Sequence, residues 1–130
     1  MWPFRGNGSA GPGHIITGRR GEKIARRTLR KSGLKILGCN YRCPPGEADI
    51  IALNPSEKQI VIAEVKTRSD DIYTSPLSAI TPEKMDRLKK IARYYVETHN
   101  AEQYSVRFDI VSIVLSKTGS PQIEHIPDAF

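Results

Sequence analysis

The chain has 130 residues, 38% hydrophobic and 26% charged side chains and a net charge of +6, a length that supports one domain burying roughly 65–70% of the surface its unfolded form would expose. No run approaches the ~18 apolar residues of a membrane span, and no apolar segment follows the Arg19-Arg20 pair, which argues against membrane and exported classes and for the cytoplasm. Cys39 and Cys43 would lie about 13 Å apart along a strand, too far for a disulfide, and the histidines are scattered singly, so neither a disulfide scaffold nor a Cys/His zinc site is expected.

Residues 1–16 are rich in Gly, Pro and Ser and read as a flexible tail ahead of a single domain spanning 17–130. The G-x-G-x-x-G match at Gly6, Gly8 and Gly11 has no strand before it and is not a dinucleotide site. From Thr17, as N-cap, to Gly33, beyond the last turn, the spacing predicts a helix with the apolar stripe Ile24, Ala25, Thr28 and Leu29. Its other faces are almost entirely Arg and Lys, and Glu22 projects along the edge of the stripe.

Strands are predicted over Leu34–Cys43, Glu47–Leu53 and Ile60–Thr67, the last two joined by NPSEKQ as an antiparallel hairpin. A second helix starts with Thr81 as N-cap and Pro82 as its first residue and runs to about His99. Its apolar face carries Met85, Leu88, Ile91, Ala92, Tyr95 and Val96. A long strand over Tyr104–Leu115 and a short one near Ile123–Ile126 complete an α/β, αβββαβ arrangement with helices against a mixed sheet.

Charge is unevenly spread along this order. Residues 1–45 hold ten basic side chains against the single acid Glu22, a local charge of +9, whereas residues 46–80 hold six acids against three bases. A basic stretch beside an acidic one suits a polyanion held by the first and a cation by the second; a solvated helix face gives the same composition.

The acids of the hairpin stand in Ile- and Val-rich strands. Pairing Leu53 with Ile60 sets Ile51 opposite Ile62, Asp49 opposite Glu64 and Glu47 opposite Lys66, which gathers the charged side chains on one surface. Two carboxylates ~5 Å apart at an effective dielectric of about 20 repel by on the order of 3 kcal/mol. A hard divalent cation, Mg²⁺ or Mn²⁺, would offset that repulsion. The alternative is a solvent-facing strand surface in which the acids pair with Lys66 or nearby arginines.

Asp49 followed by Glu64-Val65-Lys66 resembles the D…ExK signature of the PD-(D/E)xK nuclease superfamily, which includes restriction endonucleases and Holliday junction resolvases. More narrowly, GRRGE at 18–22, NYRC at 40–43, GEADIIA at 46–52, EVKTR at 64–68, AITPEK at 79–84, RFDIV at 107–111 and HIPDAF at 125–130 resemble the bacterial YraN family across residues 17–130. The resemblance implies a restriction endonuclease-like fold and a metal-dependent nuclease of DNA, including branched or structured DNA, or a non-catalytic nucleic-acid-binding module that retains the fold.

By the same resemblance Asp49, Glu64 and the backbone carbonyl of Val65 would ligate Mg²⁺ or Mn²⁺, and Lys66 would orient the attacking water or stabilise the transition state. Glu22 would hold a second metal or its water, and Glu47 would either join that shell or pair with Lys66. Arg19, Arg20, Lys23, Arg26, Arg68, Lys84 and Arg87 would contact phosphates. Asp109 could position a cation or bond Arg107 or a helix terminus. Cutting both strands of a junction would call for a homodimer.

Overall fold

The computed structural model describes residues 12–69 and 75–130. Two helices flank one five-stranded sheet: α1 (Pro12–Lys31), β1 (Lys35–Cys43), β2 (Gly46–Asn54), β3 (Gln59–Ser69), α2 (Pro82–Thr98), β4 (Ser105–Leu115) and β5 (Gln122–Ile126). The strands lie in the order β1-β2-β3-β4-β5, with β3 and β4 parallel and every other neighbouring pair antiparallel. This is the mixed α/β sheet flanked by helices that the periodicity predicts.

Each helix buries one stripe. Ala25 and Leu29 of α1 pack with Cys39, Ile50, Ala52, Val61, Ala63, Val111 and Ile113 on one face of the sheet. Leu88, Ile91, Ala92 and Tyr95 of α2 pack with Tyr41, Ala48, Ile51, Ile60, Ile62 and Phe108 on the other. The helix ends follow local chemistry. Thr81 Oγ1 accepts the Lys84 N–H at 3.1 Å ahead of Pro82 in the first turn of α2. Gly33, at φ +96, follows α1 in the conformation that glycine adopts without strain.

Two boundaries differ from the sequence reading. α1 begins at Pro12, ahead of Thr17. A proline suits the first residue of a helix, where its missing N–H removes no intrahelical bond, so the helix extends back to Pro12. Residues 1–11, with the glycine match at Gly6, Gly8 and Gly11 and most of the proposed tail, lie outside the described residues. The hairpin connection is also ordered: Pro55–Glu57 form a 3₁₀ turn closed by Lys58 at φ 48.

Beyond the register shift between Ile36 and Gly38, the faces of β1 and β2 switch again near Asn40. Cys39 and Ile50 are cross-strand partners on the α1 side, and the next partners, Tyr41 and Ala48, lie on the α2 side. Residues two apart on a strand ordinarily share a face. Between these pairs Asn40, buried and at φ 52, falls opposite Asp49. The half-turn that Asn40 introduces is what brings Asp49 out of ordinary alternation.

Candidate functional site

The β2–β3 register runs Asn54↔Gln59, Leu53↔Ile60, Ala52↔Val61, Ile51↔Ile62 and Ile50↔Ala63, and there the recorded ladder ends. The apolar pairs fall where the sequence puts them. Beyond them Asp49 does not simply face Glu64 across a continuing ladder. Its Oδ2 accepts the backbone N–H of Val65 at 2.8 Å, so a side chain of β2 takes a donor that β3 would otherwise leave without a strand partner. Glu64, on the α2 side, is buried and ion-paired through Oε2 with Lys84 Nζ from the first turn of α2.

The electrostatics of this junction are those of a crowded anionic pair. Burial, then repulsion by Glu64, pushes the Asp49 carboxyl from 3.8 up to about 7, against the opposing effects of the Val65 N–H and the Lys84 charge. Glu22 adds a smaller repulsion from α1. It is placed there by close packing of its neighbour: a Cβ on Gly21 would lie 1.9 Å from Thr67 Oγ1, so only glycine lets α1 approach β3 this closely. Among the described residues, no group of three or more His, Cys, Asp or Glu side chains is arranged to hold a metal ion. The acids that converge are the Asp49–Glu64 pair, with the charge of Glu22 within reach.

A model of the uncharacterised protein family UPF0102 matches residues 21–113, from the Gly21–Thr67 contact through the site to β4. The chain belongs to UPF0102. It is 41% identical over 122 residues to a UPF0102 protein of Pelobacter propionicus, covering 94% of this chain and 87% of that one. A UPF0102 protein of Syntrophus aciditrophicus is 43% identical over 117 residues, 90% of each chain, and one of Caldanaerobacter subterraneus subsp. tengcongensis is 42% identical over 115 residues, 87% of this chain and 93% of that one.

Other residues of this UPF0102 chain are distributed less simply than the motif implies. Lys66 is exposed. Glu47 does not meet Lys66: it sits directly across from Arg42 on β1, whose Nε donates to Glu47 Oε2 at 2.6 Å. That pair follows from antiparallel β1–β2 geometry, which the hairpin alone did not include. Arg68 is 7% exposed, which takes it off the open surface where a phosphate would be met. Arg87 is exposed at its head while its Cδ lies over Gly46, 2.8 Å from where a Cβ would stand.

The basic side of α1 is open. Arg19, Arg20 and Lys23 are exposed, and Lys23, Arg26, Arg27, Arg30 and Lys31 line a recess of about 490 Å³ along the helix. Beneath it, burial raises the thiol pKa of Cys39, with Arg26 bonded to it in opposition. Both cysteines of this UPF0102 member are free thiols. Among the described residues no helix is long and apolar enough to cross a membrane.

Sequence reasoning left Asp109 undecided, and its partners are now explicit. Arg107 donates to both carboxylate oxygens at 2.8 Å, His125 Nε2 lies 2.7 Å from Oδ2, and the Asp128 N–H donates to Oδ1 at 3.1 Å. Burial alone would raise the Asp109 pKa, but these hydrogen bonds and the Arg107 charge together hold it below its ordinary value. Asp109 is aligned with Ala63, the residue before Glu64, and its partners tie β4 to β5 and to the chain beyond it. It clamps the scaffold behind the site.

Proposed function

We propose that this UPF0102 protein is a Mg²⁺- or Mn²⁺-dependent nuclease that hydrolyses phosphodiester bonds in DNA, with branched or otherwise structured DNA as its substrate class. The observation that carries this reading is the meeting of Asp49 and Glu64 where the β2–β3 ladder opens, two carboxylates from adjacent strands, with burial and then repulsion by Glu64 pushing the Asp49 carboxyl up to about 7. The donors that would hold a hard cation are carboxylate oxygens of Asp49 and Glu64 and the Val65 carbonyl, with Glu22 for a second ion or bound waters, whereas Glu47 would first have to give up Arg42. What such a cation supplies when bound is neutralisation of developing charge and a more acidic water.

The remaining functions belong to the chain itself. Lys66 orients the water or meets charge on the phosphoryl oxygens. Arg19, Arg20, Lys23 and Arg26, with Arg87 across the sheet end, hold phosphates, which makes binding strongly salt-dependent. Free Cys39 and Cys43 suit a reducing cytoplasm, and cleavage of both strands of a junction would use a symmetric homodimer.

A second reading is a nucleic-acid-binding module without catalysis. The Lys84–Glu64 ion pair favours it, because a cation of the chain already neutralises one of the two carboxylates. Incubation with linear, single-stranded, flapped and four-way DNA in Mg²⁺ or Mn²⁺, alongside Asp49→Asn and Glu64→Gln, separates the two. The nuclease reading expects metal-dependent cutting that falls by at least about 100-fold in either variant, the loss seen when transition-state charge stabilisation is removed. Salt-sensitive binding with no cutting of any substrate supports the module, and cutting by the variants at the wild-type rate excludes this site.

A further inference from the structure

Two lysines border the carboxylate pair, and they behave differently. Lys66, on β3, is exposed. Lys84, which the sequence offered only as a phosphate contact, has its ammonium on Glu64 Oε2, with side chains 33% and 10% exposed respectively. It is held there by its own element. The Lys84 backbone N–H is fixed by the Thr81 cap at 3.1 Å, and Leu88, Ile91 and Ala92 pin the following turns of α2 to the sheet. Its charge also reaches Asp49, where it opposes the repulsion from Glu64. One ammonium thus serves both acids.

We propose that Lys84 is a built-in counter-ion of the site: it occupies Glu64 when no divalent cation is bound and must leave Glu64 when one binds, so that cation affinity is set by competition with the chain's own ammonium. This inference rests on the reading of Asp49 and Glu64 as the cation site. Its physical basis is that an ammonium and a hard divalent cation seek the same carboxylate oxygens, and that two cations crowded on one carboxylate repel. Displacement would also release Lys84 toward the phosphate that follows the metal into the site, so the side chain changes partner and keeps its charge.

The test is Mn²⁺ binding to the full chain by titration calorimetry at about pH 8.5, above the range in which Asp49 holds its proton. Wild type is compared with Lys84→Met, which keeps length without charge, Lys84→Arg, which keeps charge, and Asp49→Asn. Lys84→Met is expected to bind Mn²⁺ at least about tenfold more tightly than wild type, the lower end of what one neighbouring charge does to a carboxylate. Lys84→Arg is expected to stay within about threefold of wild type, since the competing charge is retained. Lys84→Gln repeats the measurement should the apolar head of Met disturb folding.

Lys84→Met or Lys84→Gln binding no more tightly than wild type overturns the counter-ion proposal and leaves the cation site standing, provided Asp49→Asn abolishes binding. Mn²⁺ binding that survives Asp49→Asn, or no binding by wild type and both neutral Lys84 variants, overturns the counter-ion proposal together with the cation site beneath it.

Discussion

Asp49 carries two opposed demands. Its hydrogen bond from the Val65 N–H favours the carboxylate, whereas burial and the neighbouring Glu64 favour the acid, and the latter win, leaving the group near pH 7. The native state therefore holds this proton more tightly than the unfolded chain does. For a carboxyl whose folded pKa lies above 3.8, stability falls as pH rises through the interval from 3.8 to about 7. Asp49→Asn keeps an oxygen for Val65 and removes the charge. Urea unfolding should find the Asp49→Asn variant more stable than wild type by about 2 kcal/mol at about pH 8, after discounting for partial solvent access, with most of that gain gone by about pH 4. An equal effect at both pH values would show that charge at Asp49 is not the cause. A gain confined to the higher pH would mean that the ionised Asp49 is kept at a cost to stability.

At the scale of elements, the position of α1 depends on Gly21. Alanine ordinarily gains about 1 kcal/mol over glycine inside a helix, but here its Cβ would stand 1.9 Å from Thr67 Oγ1 and 2.9 Å from Thr67 Cβ. Gly21→Ala should destabilise the protein by about 1–3 kcal/mol, the range for overpacked contacts. Pairing it with Thr67→Ala should recover most of the loss, and strict additivity of the two single changes would exclude the contact as the cause. The same scale explains what could be read from the chain. Leu53↔Ile60 and Ile51↔Ile62 were legible because a short connection brings together two pairs of large apolar residues at the same two-residue spacing on each strand. The end of the ladder was not, because it depends on Asn40 in a third strand adopting φ 52. Counting back from the Cys43↔Gly46 pair across the PPG turn sets Asn40 against Asp49, the one local signal that pointed to it. Glu47 was assigned to the wrong neighbour for the same reason, since Arg42 lies on β1. Lys84 is beyond any local pattern: its meeting with Glu64 is made by docking a whole helix on the sheet.

The molecule as a whole is braced from both faces. Glu64 meets α2 on one side, while Asp109, aligned with the preceding Ala63, collects Arg107, His125 and the Asp128 N–H. Ala129 adds a backbone bond to Phe108 at 2.7 Å, and Phe130 stacks on Phe108 at 4.9 Å. Because Asp109 has a depressed pKa, its stabilisation is present above its unfolded value of 3.8 and is lost as pH falls below it. Asp109→Asn should cost about 3 kcal/mol, the low end for breaking a buried ion pair, because Arg107, left without its counter-charge, is only partly buried. Hydrogen exchange should localise the loss first to residues 122–126; uniform acceleration across the sheet would argue that Asp109 supports the core generally and not the attachment of β5.

The Val65 N–H is bonded to a side chain of β2 at the point where the strand ladder stops. That contact makes Asp49 part of the architecture, apart from any chemistry proposed for it. Even a lineage without catalysis would be under selection to keep an oxygen acceptor at this place, because folding alone asks for one. The structural tie of Glu64 runs through Lys84, so those two could change only together, whereas exposed Lys66 could drift alone. An aspartate here is asked for by the sheet itself, so on the nuclease reading the residues on either side of Val65, and not Asp49, are the ones whose loss would mark the end of catalysis.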